Sequence, residues 1–310
     1  MKLVICCTRW LLDVHPAVLK SLVVDSDWFG EAKSVRDQAS DLPSYKNPPI
    51  TEVVVGVAFR DAPSLSAAHL GELWASRWEE DFPRVEEHPP YFPPIERFDA
   101  PILSPSIALQ FGETAPTRLW FVTRDGQELI QAQRDWFACN WRKVRPGSEY
   151  DRWPARRTSF EQRFREFEGY IRERGLGKAT LLQCELSYIN HVPLRDGLAG
   201  YGDLPRVLRL TSPVDSDFLP TPEQIQIGAT FTIRNEGEQP VGRLHVTAQP
   251  GTLREGGLRI FVLNLTARGA PEGDGLAGAL RFLDRGRQWI VRAFTELTTQ
   301  DMHATWERER

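Results

Sequence analysis

Residues 127–143, QELIQAQRDWFACNWRK, form the longest strand-like run in the chain. Side chains of a strand point to opposite faces in turn, so a half-buried strand alternates apolar and polar residues. Read as one strand, this run carries Leu129, Gln131, Gln133, Asp135, Phe137, Cys139 and Trp141 on one face. Ile130, Ala132, Arg134, Trp136, Ala138 and Asn140 fall on the other. Both faces mix apolar bulk with Gln, Asp, Arg or Asn. A buried polar group without a partner costs about 1–3 kcal/mol. Two arrangements satisfy that constraint: a wide sheet with one face partly wet, or polar positions that line a groove.

The rest of the chain is punctuated by clear breaks. Residues 1–44 fit poorly with the remainder of the sequence and are read as a loosely structured extension, with a misplaced start as the alternative. Their early apolar run breaks at Thr8-Arg9 and Asp13 without a small-residue cleavage site, so no signal peptide is predicted. Pro48-Pro49 set an extended entry to a strand over 51–60. A helix is predicted over 66–82, with Leu70, Leu73, Trp74 and Trp78 at helical spacing. Residues 88–105 read as proline-rich loop, and strands are expected over 106–111 and 118–123. Asp125-Gly126 predicts a tight turn before the long run. Thr158 is expected to cap a helix to about 174, with Phe160, Phe164, Phe167, Tyr170 and Ile171 as its apolar stripe. A strand over 180–193, a short helix near 204–208, and strands over 224–234, 243–249 and 259–268 come next. Asn235-Glu236-Gly237 and Pro250-Gly251 mark the two turns. Helices over 274–297 and after Thr298 or Thr299 complete the chain.

These elements repeat in order: strand, helical connection, three-stranded meander, long helix. The period is about 130 residues, too long for a solenoid. The expected fold is therefore α+β: a duplicated β-α-β-β-β-α unit over 45–178 and 179–310. It would form one broad curved, mainly antiparallel sheet with the long helices on one face.

Chemical motifs are sparse. With 41% hydrophobic and 26% charged residues and a net charge of −4, the composition is that of a globular protein and excludes a generally basic nucleic-acid-binding surface. The four cysteines, Cys6, Cys7, Cys139 and Cys184, have no metal-ligand or CxxC spacing, which suits reduced thiols in the cytoplasm. No stretch approaches the ~20 apolar residues of a membrane span. Gly175-Leu176-Gly177-Lys178 lacks the first glycine and the hydroxyl residue of a phosphate loop, and it precedes a strand instead of succeeding one. His69 and Glu72 share a helix face without a second histidine, so no metal or cofactor is expected.

Two groups stand out as candidate binding residues. Arg134, Trp136, Trp141 and Arg142, with Lys143, Arg145, Arg152, Trp153, Arg156 and Arg157 near them, join arginine to aromatic rings. That composition suits interface anchors or stacking on nucleic-acid bases, and equally a solvated loop whose tryptophans belong to the core. Gln133 and Asn140 flank this group. On the later strand Glu185, Tyr188, Asn190 and His191 form a second polar set, with His245 and Asn264 as further candidates for the same sheet. A Glu and a His on one strand face are also the components of acid–base chemistry.

Four stretches resemble a sporadically distributed bacterial family of unknown function. They are Tyr45-Lys46-Asn47-Pro48-Pro49-Ile50 with Glu52-Val53, and Leu129-Ile130-Gln131 with Gln133-Arg134-Asp135 and Asn140-Trp141-Arg142-Lys143. Tyr188-Ile189-Asn190-His191 and the ending Ala293-Phe294, Leu297-Thr298, Met302-His303 and Trp306 complete the set. The resemblance covers about residue 45 to the end and implies no activity or catalytic residue. Its patchy distribution suits an accessory role in a mobile element, defence or toxin–antitoxin system.

The expected function is that of a non-enzymatic cytoplasmic binding protein with a protein or peptide partner. A small-ligand or nucleic-acid binder using the same groove is the alternative, and an enzyme with a Glu185/His191 site is the third reading.

Overall fold

The computed structural model describes residues 42–310 apart from 93, 100–116, 146, 196, 214–215 and 255. Nearly all of the extension predicted over 1–44, and the strand predicted over 106–111, lie outside the described residues. Leu42 is buried and the Ser44 hydroxyl donates to Glu309, so these two residues belong with the folded part.

Among the described residues nine strands form one antiparallel sheet: β1 (Ile50–Arg60), β2 (Arg84–His88), β3 (Arg118–Val122), β4 (Glu128–Gln133), β5 (Trp136–Arg142), β6 (Thr180–Pro193), β7 (Ile227–Arg234), β8 (Pro240–Thr252) and β9 (Arg259–Gly269). Their order across the sheet is β2-β3-β4-β5-β1-β6-β9-β8-β7. The helices are α1 (Ala67–Arg77), α2 (Arg152–Glu173), α3 (Leu204–Val207), α4 (Gly275–Leu297) and α5 (Gln300–Thr305). The α+β class and the broad antiparallel sheet match the expectation. Connectivity runs alike on either side of the β1–β6 seam, as β1-β5-β4-β3 and β6-β9-β8-β7. The likeness is one of strand order alone: among the described residues β2 has no counterpart, and eleven-residue α1 stands against four-residue α3. A duplication is not established by it.

The 127–143 run is a hairpin and not a single strand. Arg134-Asp135 form a two-residue turn, and Gln133 pairs with Trp136. The turn resolves the mixed pattern. Ile130, Ala132, Phe137, Cys139 and Trp141 now share the helix-covered face, while Gln131, Gln133, Trp136, Ala138 and Asn140 share the other. Helix α2 also begins earlier than Thr158 suggested, because Pro154 sits in the first turn, where a missing N–H breaks no helical bond. Pro250-Gly251 lie within β8 and do not turn; β7 pairs no further than Ala248, so Pro250 lies past the end of that ladder. The 175–178 glycines end α2: Gly177 has φ +117°, and the Lys178 N–H donates to the Asp61 carbonyl at 2.7 Å.

The core lies between the sheet and the helices. Val53, Val55, Val57 and Phe59 of β1 point into it beside Phe160, Phe164 and Phe167 of α2. Phe137 sits centrally, with ring centroids 4.9–6.1 Å from those three phenylalanines. Residues near the two ends of the described chain meet in space. Tyr45 stands edge-on to Phe294, His303 and Trp306, and its hydroxyl bonds to Thr295 at 2.9 Å. Among the described residues no helix is long and apolar enough to cross a membrane.

Gly242 and Gly269 pair across β8 and β9 and admit Phe282 of α4 against the sheet. A Cβ on Gly269 would lie 2.3 Å from the Phe282 ring and from the Val241 carbonyl oxygen. Gly269→Ala should therefore cost about 1–3 kcal/mol through overpacking, read as a lower denaturant midpoint with an unchanged slope.

Candidate functional site

The face away from the long helices is polar, and its residues line up in rungs set by strand register. One rung runs Trp120, Gln131, Ala138, Gly56, Glu185, Arg268, Arg243 and Thr232 across eight strands. Burial of so many polar groups demands partners. Two networks supply most of them; the indole N–H groups of Trp120 and Trp136 and the Nε of Arg118 and Arg142 are buried with no hydrogen-bond partner among the described residues.

The first network crosses β3, β4, β5 and β1. Arg118 donates to Gln131 at 2.9 Å, Gln131 to Asn140 at 2.8 Å, and Asn140 to Glu52 at 2.6 Å. Burial pushes the Glu52 carboxyl above its ordinary pKa, against the opposing pull of Asn140 and Arg142. Burial also lowers the pKa of Arg118, whose guanidinium lies between the rings of Tyr91 and Trp120, 5.9 and 5.4 Å from their centroids.

The second network holds a strap. The described residues of 91–98 run across the sheet from β4 to β8 and are held from below. Gln133, fully buried, accepts from the Tyr91 N–H at 2.9 Å and donates to the Tyr91 carbonyl at 2.7 Å. Gln183, 1% exposed, accepts from the Glu96 N–H and donates to the Pro94 carbonyl, both at 2.8 Å. Each side-chain amide thus reads main chain with both of its ends, as a neighbouring strand would. The strap's side chains are gripped too. The Tyr91 hydroxyl donates to Glu185 at 2.9 Å, and Arg268 donates to the same carboxylate oxygen at 2.6 Å. Burial, followed by the Glu185 charge, pushes the Tyr91 phenol well above its ordinary pKa, so it stays a donor. Glu96 accepts from Arg243 at 2.5 Å and from His245 at 2.6 Å, and Arg243 also donates to the Arg97 carbonyl at 2.8 Å.

Gly56 makes the seat for this arrangement. Its missing side chain leaves room for the indole of Trp136, which a Cβ there would meet at 2.5 Å. Tyr91 stands edge-on to that indole at 4.9 Å. The strap leaves Phe92, Ile95 and Phe98 61%, 47% and 41% exposed, so apolar burial contributes little to its hold. Each hydrogen bond adds about 0.5–1.5 kcal/mol net. Fixing each residue's backbone costs about 1–2 kcal/mol, so the two nearly cancel.

The structure brings together part of the predicted set. Gln133, Trp136, Asn140, Arg142, Glu185 and His191 share the polar face, with His245 and Asn264. Trp141 and Tyr188 point the other way, into the core, where both pack against Tyr150. Asn190 is buried on that side as well and donates to the Tyr188 and Leu263 carbonyls. Arg134 sits at the hairpin turn. The arginine–tryptophan cluster does not form an exposed row: Trp136, Trp141 and Trp153 are buried, and Arg156 and Arg157 are ion-paired to Glu128, Asp151, Glu161 and Asp284. Glu185 and His191 stand six residues apart on one strand, about 20 Å, too far to act on one atom. His69 caps α1 with Ser66, and Glu72 accepts from Tyr170. Among the described residues no His, Cys, Asp and Glu cluster suits a metal ion.

Sequence reasoning missed the strap. Tyr91 and Glu96 lie in a stretch read only as loop, and nothing in its composition marks which residues face the sheet. Gln183 and Arg243 were missed because a lone polar residue in a strand looks like an exposed position.

Two outcomes test the grip. Gln183→Ala should leave the Glu96 N–H and Pro94 carbonyl unpaired, at a cost of about 1–3 kcal/mol confined to the strap. Hydrogen exchange should quicken there and remain unchanged in β1 and β6. The second outcome concerns pH. Burial opposes the Glu96 charge, but bonds from His245 and Arg243 outweigh it and hold its pKa below the ordinary 4.5. The strap's stabilisation by Glu96 is thus complete above that value and is lost as pH falls through the lower folded value. Strap exchange should rise in that acid window in the native chain and stay flat there in Glu96→Gln.

No protein-family model matches the chain, and neither a curated protein nor a solved structure matches it.

Proposed function

We propose that this is a non-enzymatic binding protein that takes a protein or peptide partner in extended form on the polar face of its sheet. The carrying observation is the pair of buried glutamines, Gln133 and Gln183, each presenting donor and acceptor to the main chain of a segment laid across the strands. Side-chain amides used this way recognise polypeptide backbone independently of sequence, while neighbouring side chains select the residues. The inward placement of Trp141 and Trp153 speaks against stacking on nucleic-acid bases. Glu185 is engaged by Tyr91 and Arg268, which speaks for a positioning role over general-base chemistry.

The test is selection of a random peptide library on the immobilised full chain, with single-stranded RNA and DNA pools in parallel. Enriched peptides that bind the native chain at least tenfold more tightly than Gln133→Ala and Gln183→Ala support the reading. Enrichment of nucleic acid alone, or of peptides indifferent to both glutamines, overturns it.

A further inference from the structure

The polar face does more than hold backbone, because two side-chain seats lie under the strap at a fixed separation. The first seat is made by Trp136, Glu185 and Arg268 and takes the Tyr91 ring and hydroxyl. Glu185 demands a donor at that position, so the seat selects an aromatic hydroxyl over a plain phenyl ring. The second seat is made by Arg243 and His245 and takes the Glu96 carboxylate from both of its oxygens. Arg243 lies beneath the Phe98 ring, 4.4 Å from its centroid, so an aromatic residue two positions beyond the acid completes the second seat. Between the seats the strap's Phe92 and Ile95 turn to solvent. The occupant is therefore specified at three positions and left open at the positions of Phe92 and Ile95.

We infer that the strap is a resident occupant of a peptide-reading groove, and that a partner segment with a tyrosine, a carboxylate five residues on and an aromatic two further exchanges with it. The inference rests on the reading of the polar face as a polypeptide-binding surface and adds to it the motif and the means of control. Three features support exchange. The strap's hold is mainly polar and directional. Its most exposed apolar side chain gains little from staying, with Phe92 61% exposed. The second seat is charged in the sense that an acidic peptide complements: the Arg243 guanidinium faces the carboxylate. The chain's own segment then sets a threshold, since a partner binds only as tightly as it outcompetes an occupant tethered nearby at high effective concentration.

The experiment uses the full chain and a labelled synthetic peptide of residues 89–99. A Tyr91→Ala, Glu96→Ala double variant, whose own strap has lost both seats, should bind this peptide at least tenfold more tightly than the native chain does. Peptides with Tyr91→Phe or Glu96→Gln should each bind the double variant at least tenfold more weakly than the parent. Equal affinity for all three peptides, or no binding by a double variant that melts like the native chain, overturns the inference. Should the double variant fail to fold, trypsin cleavage after Arg97 in the native chain decides. Saturating peptide carrying Arg97→Gln, which trypsin does not cut, should speed that cut several-fold by releasing the strap, and an unchanged rate overturns the inference. Library selection that yields glutamine-dependent peptides without the tyrosine–acid–aromatic spacing would leave the polypeptide-binding reading standing and reject this motif alone.

Discussion

Everything on the two faces of this molecule depends on the alternation of side chains along nine strands held in one sheet. Across the sheet each rung belongs wholly to one face, so a single slip anywhere would exchange core for polar surface. The two-residue turn at Arg134-Asp135 shows how tightly this binds. It keeps β4 and β5 in step, so that Phe137 enters the aromatic core while Trp136, its neighbour, lies on the opposite side. Gln133 then sits beside Trp136, and the pair forms one end of the strap's bed.

The two faces solve burial differently. The helix side removes aromatic and aliphatic surface from water, with Phe160, Phe164 and Phe167 of α2 on Phe59 and Phe137. The other side buries amides, carboxylates and guanidiniums, which is favourable only if each finds a partner. Arg268 with Glu185 and Arg243 with Glu96 meet that demand as ion pairs with little solvent contact. Such pairs contribute less to net stability than to specificity of arrangement, since breaking one leaves a buried charge behind. The polar face is thus suited to defining what lies on it more than to strengthening the fold.

The fold was largely legible in the sequence because its signals are local. The phenylalanine stripe of α2, the Asp125-Gly126 turn and the β-branched run of β1 each state their element within one short window. The long hairpin was not, since Arg134-Asp135 is a weak turn signal beside strong strand formers. The membership of the polar face was legible by half. Gln133, Asn140 and Glu185 stand out as polar residues in apolar strands. Trp141, Tyr188 and Asn190 looked the same and face the core, because whether a strand residue points up or down is settled by pairing with strands far away in sequence. The strap escaped altogether, as its order comes from contacts that Tyr91 and Glu96 make with Gln133, Gln183, Glu185, Arg243 and His245, residues far away in sequence.

The seam between β1 and β6 has a bearing on how the chain reaches this state. Strands β3, β4 and β5 form a local meander, as do β7, β8 and β9, and each can assemble through short loops. The pairing of β1 with β6 instead joins Val55 to Leu186, with β2 to β5 and α2 lying between them in the chain. Closing so long a loop delays that contact. The bed for the strap spans the seam, with Gln133 on one side and Gln183, Arg243 and His245 on the other. A half-assembled sheet therefore has no place for the strap, whose bed is complete only once β1 and β6 have paired.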